Sequence, residues 1–193
     1  MQAHHSDEAW GRHSASGFSL VEIMIVVMLM AIAAGIAVPL SAKFITSSSA
    51  DSASVATLTA VDMAHDRAVA ERRNVEMTFV MPNRIQLERQ NVPGPGKTLI
   101  AEYFLENGQR FLQFDGIRDT PDAFGAGAAI SFSGVAPVMF TSDGSLVDAN
   151  GDVVNGTIFL GRPDEPDTAR AITIFGVTGV SHVWKWRGGS WMK

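Results

Sequence analysis

The chain has 193 residues, a net charge of −5 at pH 7 and no cysteine. This length suits one domain preceded by an N-terminal segment. The mildly acidic balance argues against broad, non-specific binding to nucleic acid, and the lack of cysteine excludes disulfide bonds. The domain must therefore be held together by its hydrophobic core.

The first predicted element is an apolar run from residue 23 to residue 40 that contains no charged side chain. A run of this length can cross the hydrocarbon core of a bilayer. A conventional secretory signal would have a shorter apolar stretch that ends in a small-residue cleavage site. We therefore predict a retained transmembrane helix at residues 18–42.

One carboxylate, Glu22, lies just before this run. A charge within a bilayer costs about 2.5–3.5 kcal/mol even on lenient insertion scales. Cleavage between Gly17 and Phe18 would create an α-amino group a few residues away, and opposite charges about 4 Å apart attract by about 4 kcal/mol at an effective dielectric constant of 20. The alternative is a glutamate that reaches the bilayer edge by snorkelling.

The residues from Gly17 to Glu22, with the apolar run that follows, closely resemble the class III signal of type IV pilins and type II secretion pseudopilins. The resemblance implies that residues 1–17 are a class III leader peptide and that the helix of residues 18–42 also serves in assembly. It implies that a prepilin peptidase cleaves after Gly17 and N-methylates Phe18. It also implies that Glu22 is the glutamate used in filament assembly and that Pro39 kinks the helix.

An amphipathic helix is predicted to extend the first helix over residues 43–74. Apolar side chains recur at three- to four-residue spacing from Val55 to Ala68, which is typical of one buried helix face. The serine-rich residues 46–54 have the composition of a linker, but a polar, solvated turn of the same helix is an alternative. The apolar stripe is expected to pack on the sheet that follows.

After Asn74 the hydrophobic period changes to two. Residues 75–80 and 84–89 alternate on either side of Pro82-Asn83, which predicts a β-hairpin. Further strands are predicted at residues 99–105, 111–114, 129–132, 138–140, 156–160, 171–174 and 180–186. The predicted fold class is α+β: a long N-terminal helix packed on an antiparallel β-sheet domain of residues 75–193.

Four stretches of this domain resemble the GspH/FimT group of pilin-like proteins: residues 58–77, 140–145, 156–161 and 171–180. The resemblance implies a minor pseudopilin or minor pilin that helps to start or assemble a filament for protein secretion. Its implied partners are other pilin or pseudopilin subunits, the prepilin peptidase and the inner-membrane assembly platform. The implied location is the bacterial inner membrane, with a single span and a periplasmic C-terminal domain, before incorporation into a pseudopilus or pilus.

A second interpretation concerns the C-terminal segment, where tryptophans alternate with the cations Lys185, Arg187 and Lys193. Aromatic rings can stack on bases while cations contact phosphates, so the segment could bind DNA for uptake, as in FimT-like minor pilins. The alternative is a last strand in which Trp184 and Trp186 share one face and cover the core or a partner subunit.

No catalytic or metal-binding site is predicted. Residues 148–152 have the oxygen spacing that begins a calcium loop, but Val153 and Phe159 occupy the positions where that loop needs glycine and a bidentate glutamate. An Asn-Gly hairpin turn is the expected structure there. The histidines show no metal spacing, and no serine lies in a nucleophile motif. We expect no enzyme activity, no metal and no cofactor.

Overall fold

The computed structural model describes residues 18–193, except for the side chains of residues 37–43. The chain divides into two compact units, Met1–Ala42 and Lys43–Lys193, and each is treated by itself below. A single helix, α1, extends from Leu20 to Glu71. Arg72, which follows it, has a left-handed backbone with φ of 52°, a conformation that ends a right-handed helix.

Eleven strands follow in the part of the chain that the structure describes. They are β1 (Val75–Val80), β2 (Arg84–Gln90), β3 (Lys97–Phe104), β4 (Arg110–Phe111), β5 (Ile130–Phe132), β6 (Val138–Phe140), β7 (Leu146–Val147), β8 (Gly156–Arg162), β9 (Glu165–Ile174), β10 (Ser181–Arg187) and β11 (Ser190–Met192).

The strands form two antiparallel sheets. The N-terminal sheet has the order β3-β2-β1-β6-β7, and the C-terminal sheet has the order β11-β10-β9-β8-β4, with β5 also paired to β8. The long pairs β1–β2 and β8–β9 are hairpins whose strands are consecutive in the chain. The α+β class is confirmed, although the domain contains two sheets where a single one was expected.

The core of the second unit lies where α1 meets both sheets. The helix contributes small side chains: Ala53, Ala60, Val61, Ala64 and Ala68. The sheets contribute larger ones, among them Met77, Leu87, Ile158 and Ile172, all almost completely buried. Each such side chain contributes about 1.5–3 kcal/mol when buried.

The serine-rich stretch is part of α1. Its hydroxyl groups donate to backbone carbonyls three or four residues earlier, for example Ser49 Oγ to the Thr46 carbonyl and Ser54 Oγ to the Ala50 carbonyl. These bonds satisfy the hydroxyls within the helix. Of the two alternatives for this stretch, the structure therefore has the helical one.

The predicted hairpin of residues 75–89 is confirmed, since Val75 pairs with Arg89 and Val80 with Arg84. Two strands were not predicted, β7 and β11, which have two and three residues. An alternating pattern cannot be recognised over so few positions. Of the strand expected at residues 111–114, only Phe111 lies in an observed strand, β4.

Candidate assembly surfaces

The described part of the first unit exposes large apolar side chains around the helix. Phe18 is 77 % exposed. The other exposed apolar residues of this segment are Leu20, Val21, Ile23, Met24, Ile25, Val26, Val27, Met28, Leu29, Met30, Ile32 and Ile36. A helix that is apolar on all sides needs an apolar environment, which lipid or other helices can supply. Among the residues with described side chains, no helix combines the length and hydropathy that a membrane span requires.

The helix start explains one role of Glu22. The Ser19 carbonyl accepts the first helical hydrogen bond, from the Ile23 amide at 3.2 Å, and α1 begins at Leu20. Ser19 is therefore the N-cap and Glu22 the third helical residue, the spacing of a capping box. A carboxylate also interacts favourably with the positive end of the helix dipole there. The sequence contains this signal, but it was not among our predictions.

Two predicted sites lie outside the described residues. Gly17, on the leader side of the predicted cleavage site, belongs to residues 1–17. Pro39 falls within the bounds of α1, but its side chain is among those not described. The expected kink stays a prediction.

A carboxylate on α1 joins the helix to the C-terminal sheet in the second unit. Asp51 accepts hydrogen bonds from Arg170 Nε and Lys185 Nζ, each at 2.9 Å. Burial raises the pKa of Asp51, but the hydrogen bonds from Lys185 and Arg170, together with their charges, outweigh it and hold the pKa below 3.8. Lys185 is thus engaged within the domain, whereas Arg187 and Lys193 are exposed.

The C-terminal tryptophans are bonded into the fold. Trp186 and Trp191 pair across β10 and β11 in an edge-to-face arrangement with ring centroids 5.3 Å apart. Trp191 Nε1 donates to the Arg118 carbonyl at 2.8 Å. Trp184 donates to Asp122 at 3.0 Å. Of the two interpretations of this segment, these contacts favour a closing strand whose rings cover the domain's own surface.

Asp122 fastens a loop across the C-terminal sheet. We call residues 118–125 the strap. The Asp122 carboxylate accepts hydrogen bonds from Thr173 Oγ1 at 2.5 Å and Trp184 Nε1 at 3.0 Å, and it lies 3.1 Å from His182 Nδ1. Burial raises the pKa of Asp122, but these three partners outweigh it and lower the pKa below its usual value. Phe124 adds an edge-to-face contact with Phe175.

The Asn150-Gly151 turn is organised by Asp148. Its carboxylate accepts backbone hydrogen bonds from Val135 at 3.0 Å, Asn150 at 2.8 Å and Asp152 at 3.1 Å. The bond from Val135 opposes burial most strongly, and the set lowers the pKa of Asp148. The carboxylate oxygens of Asp148 are thus occupied by backbone hydrogen bonds that hold the turn. Within the described residues, no group of three histidine, aspartate or glutamate side chains is arranged to hold a metal ion.

An apolar groove of about 820 Å³ lies between β1 of one sheet and β5 of the other. Phe79 and Phe132 line it, with ring centroids 5.9 Å apart. At its rim the buried carboxylate of Glu76 accepts a hydrogen bond from Lys97 Nζ at 2.5 Å. Since the charges at the rim neutralise each other, the groove suits an apolar side chain better than a charged ligand.

Comparison with known proteins gives a match to a family model in the N-terminal part of the chain. Residues 12–38 match the family model described as the prokaryotic N-terminal methylation motif, which spans the predicted cleavage site and Glu22. The match confirms the prediction of a prepilin-type N-terminal segment. Among solved structures, the chain is similar to the minor pseudopilin EpsH from the type 2 secretion system of Vibrio cholerae: the TM-score is 0.47, the identity is 11 %, and the alignment covers 70 % of this chain and 96 % of that chain. No curated protein matches the sequence.

Proposed function

We propose that this chain is a minor pseudopilin of a type II secretion system. It is made as a precursor, cleaved after Gly17 and N-methylated on Phe18 by a prepilin peptidase, and held in the inner membrane by its N-terminal helix. It then joins a periplasmic pseudopilus. The observation that carries the proposal is the N-terminal methylation motif at residues 12–38, which includes the start of α1 and its exposed apolar side chains from Leu20 to Ile36.

The exposed apolar helix supports an anchor that exchanges one apolar environment for another. In the membrane, lipid covers the side chains from Phe18 to Ile36. In the filament, the helices of neighbouring subunits cover them. Because lipid is as apolar as these side chains, close packing between helices must supply the association energy. The assembly platform in the inner membrane would move the subunit between the two environments.

Glu22 would align the helices of neighbouring subunits as the chain moves from the membrane into the filament. Its carboxylate would neutralise the methylated amine of Phe18 on a neighbouring subunit as both leave the bilayer. The attraction of such a pair is comparable with the cost of burying it, so the pair sets alignment more than stability. Before assembly, Glu22 lies in the first turn of α1, where the positive end of the helix dipole favours a carboxylate.

The β domain supplies the surface that chooses partners. In the Lys43–Lys193 unit that contains it, the carboxylates of Asp51, Asp122 and Asp148 all bind groups of the same unit. This supports a structural subunit whose polar groups hold the fold. The partners proposed for it are other pilin-like subunits.

The test begins with processing. The full chain is expressed in its native cells, with and without the prepilin peptidase gene, and its intact mass is measured from the membrane fraction. We expect loss of residues 1–17 and a gain of one methyl group on Phe18, both dependent on the peptidase. Retention of the leader in cells that have the peptidase contradicts the proposal.

A second measurement separates secretion from pilus assembly. The gene is deleted, and the culture medium is assayed for the enzymes that type II secretion exports, beside an assay of twitching motility and DNA uptake. Loss of secretion with normal motility and uptake is expected. The opposite pattern would assign the subunit to a pilus.

A further inference from the structure

The N-terminal sheet ends in a long open edge. β3, with eight residues, is the terminal strand of that sheet and pairs only with β2. Within the described residues, the terminal strands at the other sheet edges are much shorter: β7 and β4 have two residues each and β11 has three. Short terminal strands offer little backbone for pairing. β3 therefore presents the longest row of backbone groups at a sheet end.

The usual protection of such an edge is weak here. Proteins guard edge strands with proline, with free charges or with bulges, and of these devices β3 has only a bulge, at Ile100. β3 contains no proline, and both of its charged residues are engaged inside its own sheet. Lys97 binds Glu76, and Glu102 accepts hydrogen bonds from Arg84 and Gln86. Neither charge is left free to repel an incoming strand.

The side chains of β3 are suited to a partner. Leu99 and Phe104 are each 51 % exposed, although both are large and apolar. Ile100, Ala101 and Tyr103 pack against the core from the same strand. A strand added beside β3 would cover the two exposed side chains and pair with the open backbone.

We propose that β3 is a docking edge for an extended, uncharged segment of a different protein, which adds to the N-terminal sheet as a further strand. The partner segment is uncharged because the charges of β3 are already paired. It carries apolar side chains opposite Leu99 and Phe104, the pattern of recognition by strand addition. The surface belongs to the Lys43–Lys193 unit and does not depend on cleavage at Gly17.

A second copy of this chain fits the edge less well. The register between β2 and β3 shifts at Leu87 and Glu88, so that Leu87 faces Ala101 and Glu88 faces Leu99. Ile100 is left without a partner, which makes a bulge in the middle of β3. If two β3 strands paired with each other, each would bring its own bulge, and the new ladder would contain two irregularities. With a regular strand from another protein, the ladder would contain only the one bulge of β3.

The experiment uses the full chain in its native cells, with a photoreactive phenylalanine analogue at Leu99. The matched control carries the analogue at Val177, which is 75 % exposed on a turn outside β3. We expect one discrete cross-linked product from Leu99 and none from Val177. Mass spectrometry of the product should place the contact in an uncharged segment with alternating apolar residues.

A blocking variant shows whether the edge itself is used. Phe104→Lys adds a charge at the exposed end of β3 and should lower the yield of the Leu99 product about tenfold. Thr98→Lys is the second variant, in case Phe104→Lys alters the melting temperature. Any of four results would overturn the proposal. These are the absence of a product from Leu99, an equal product from Val177, a cross-link to a second copy of the chain, and a product yield that neither lysine variant changes. If the unprocessed precursor still gives the Leu99 product, the proposed function is refuted but the docking edge on β3 is not.

Discussion

The buried guanidinium of Arg170, on β9, binds the carboxylate of Asp51, on α1, although the two residues are 119 positions apart in sequence. Arg170 is only 1 % exposed, and its remaining N–H groups donate to the carbonyls of Asp167 and Ala169 and to Ser47 Oγ. Lys185, on β10, binds the other oxygen of Asp51. One carboxylate thus ties the helix to two neighbouring strands of the C-terminal sheet.

Replacing this carboxylate should destabilise the domain. In Asp51→Ala, Arg170 keeps its carbonyl partners but loses its counter-charge, so the free energy of unfolding should fall by about 1.5–3 kcal/mol, the range for hydrogen bonds to charged groups. Urea unfolding of the wild type and the variant measures the difference. Asp66→Ala is the matched control, since Asp66 lies on the same helix, is 79 % exposed and bonds only His65 among the described residues. A loss equal to that of the control would contradict the prediction.

The same carboxylate makes stability depend on pH. Its pKa in the folded protein lies below the ordinary value of 3.8. A carboxyl group of this kind stabilises the fold above its unfolded pKa, and the contribution is lost as the pH falls through the folded pKa. Below about pH 4, the stability of the wild type should therefore fall more steeply than that of Asp51→Asn. Thermal melts between neutral and acidic pH measure the two slopes.

The elements were more predictable from the sequence than the contacts that join them. The hairpin of residues 75–90 has alternating side chains and a proline turn, and both signals are local. The pair formed by Asp51 and Arg170, by contrast, leaves no local pattern, because each residue is a single charge in its own segment. Asp122 likewise lies in a loop without periodicity. Such contacts depend on how the two sheets fold back on α1, which no local spacing encodes.

Asp122 should hold the strap in place. Asp122→Ala removes the oxygen that accepts the hydrogen bonds donated by Thr173 and Trp184. We expect faster hydrogen exchange in residues 118–125 and a changed fluorescence of Trp184, with a loss of about 1.5–3 kcal/mol in unfolding free energy. Asp143→Ala is the control, because Asp143 bonds Thr141 and Ser145 in a separate turn. Unaltered exchange in the strap would show that Asp122 does not hold it.

Gly179 should not tolerate a side chain. A Cβ there would lie 2.5 Å from His65 Cδ2 and 2.9 Å from the Gly144 carbonyl oxygen, and the backbone has a φ of +67°. Gly188 is a matched control, since its φ is +59° but a Cβ would meet nothing within 4 Å. Both alanine variants share the backbone strain, about 1–2 kcal/mol. Gly179→Ala should cost clearly more than Gly188→Ala in thermal unfolding, and equal costs would mean that His65 moves aside freely.

Glu22 should matter for assembly rather than for folding. It lies in the first unit, so Glu22→Ala should leave the unfolding of the Lys43–Lys193 unit unchanged. Loss of the carboxylate removes the partner proposed for the Phe18 amine, and an unpaired charge is costly in an apolar filament core. The variant should be processed normally but incorporated into filaments at least about tenfold less often than the wild type.

Glu22→Gln separates the two roles of the residue, because glutamine keeps a capping-box side chain without the charge. If Glu22→Gln assembles like the wild type while Glu22→Ala does not, the residue acts as a helix cap and the charge pairing is refuted.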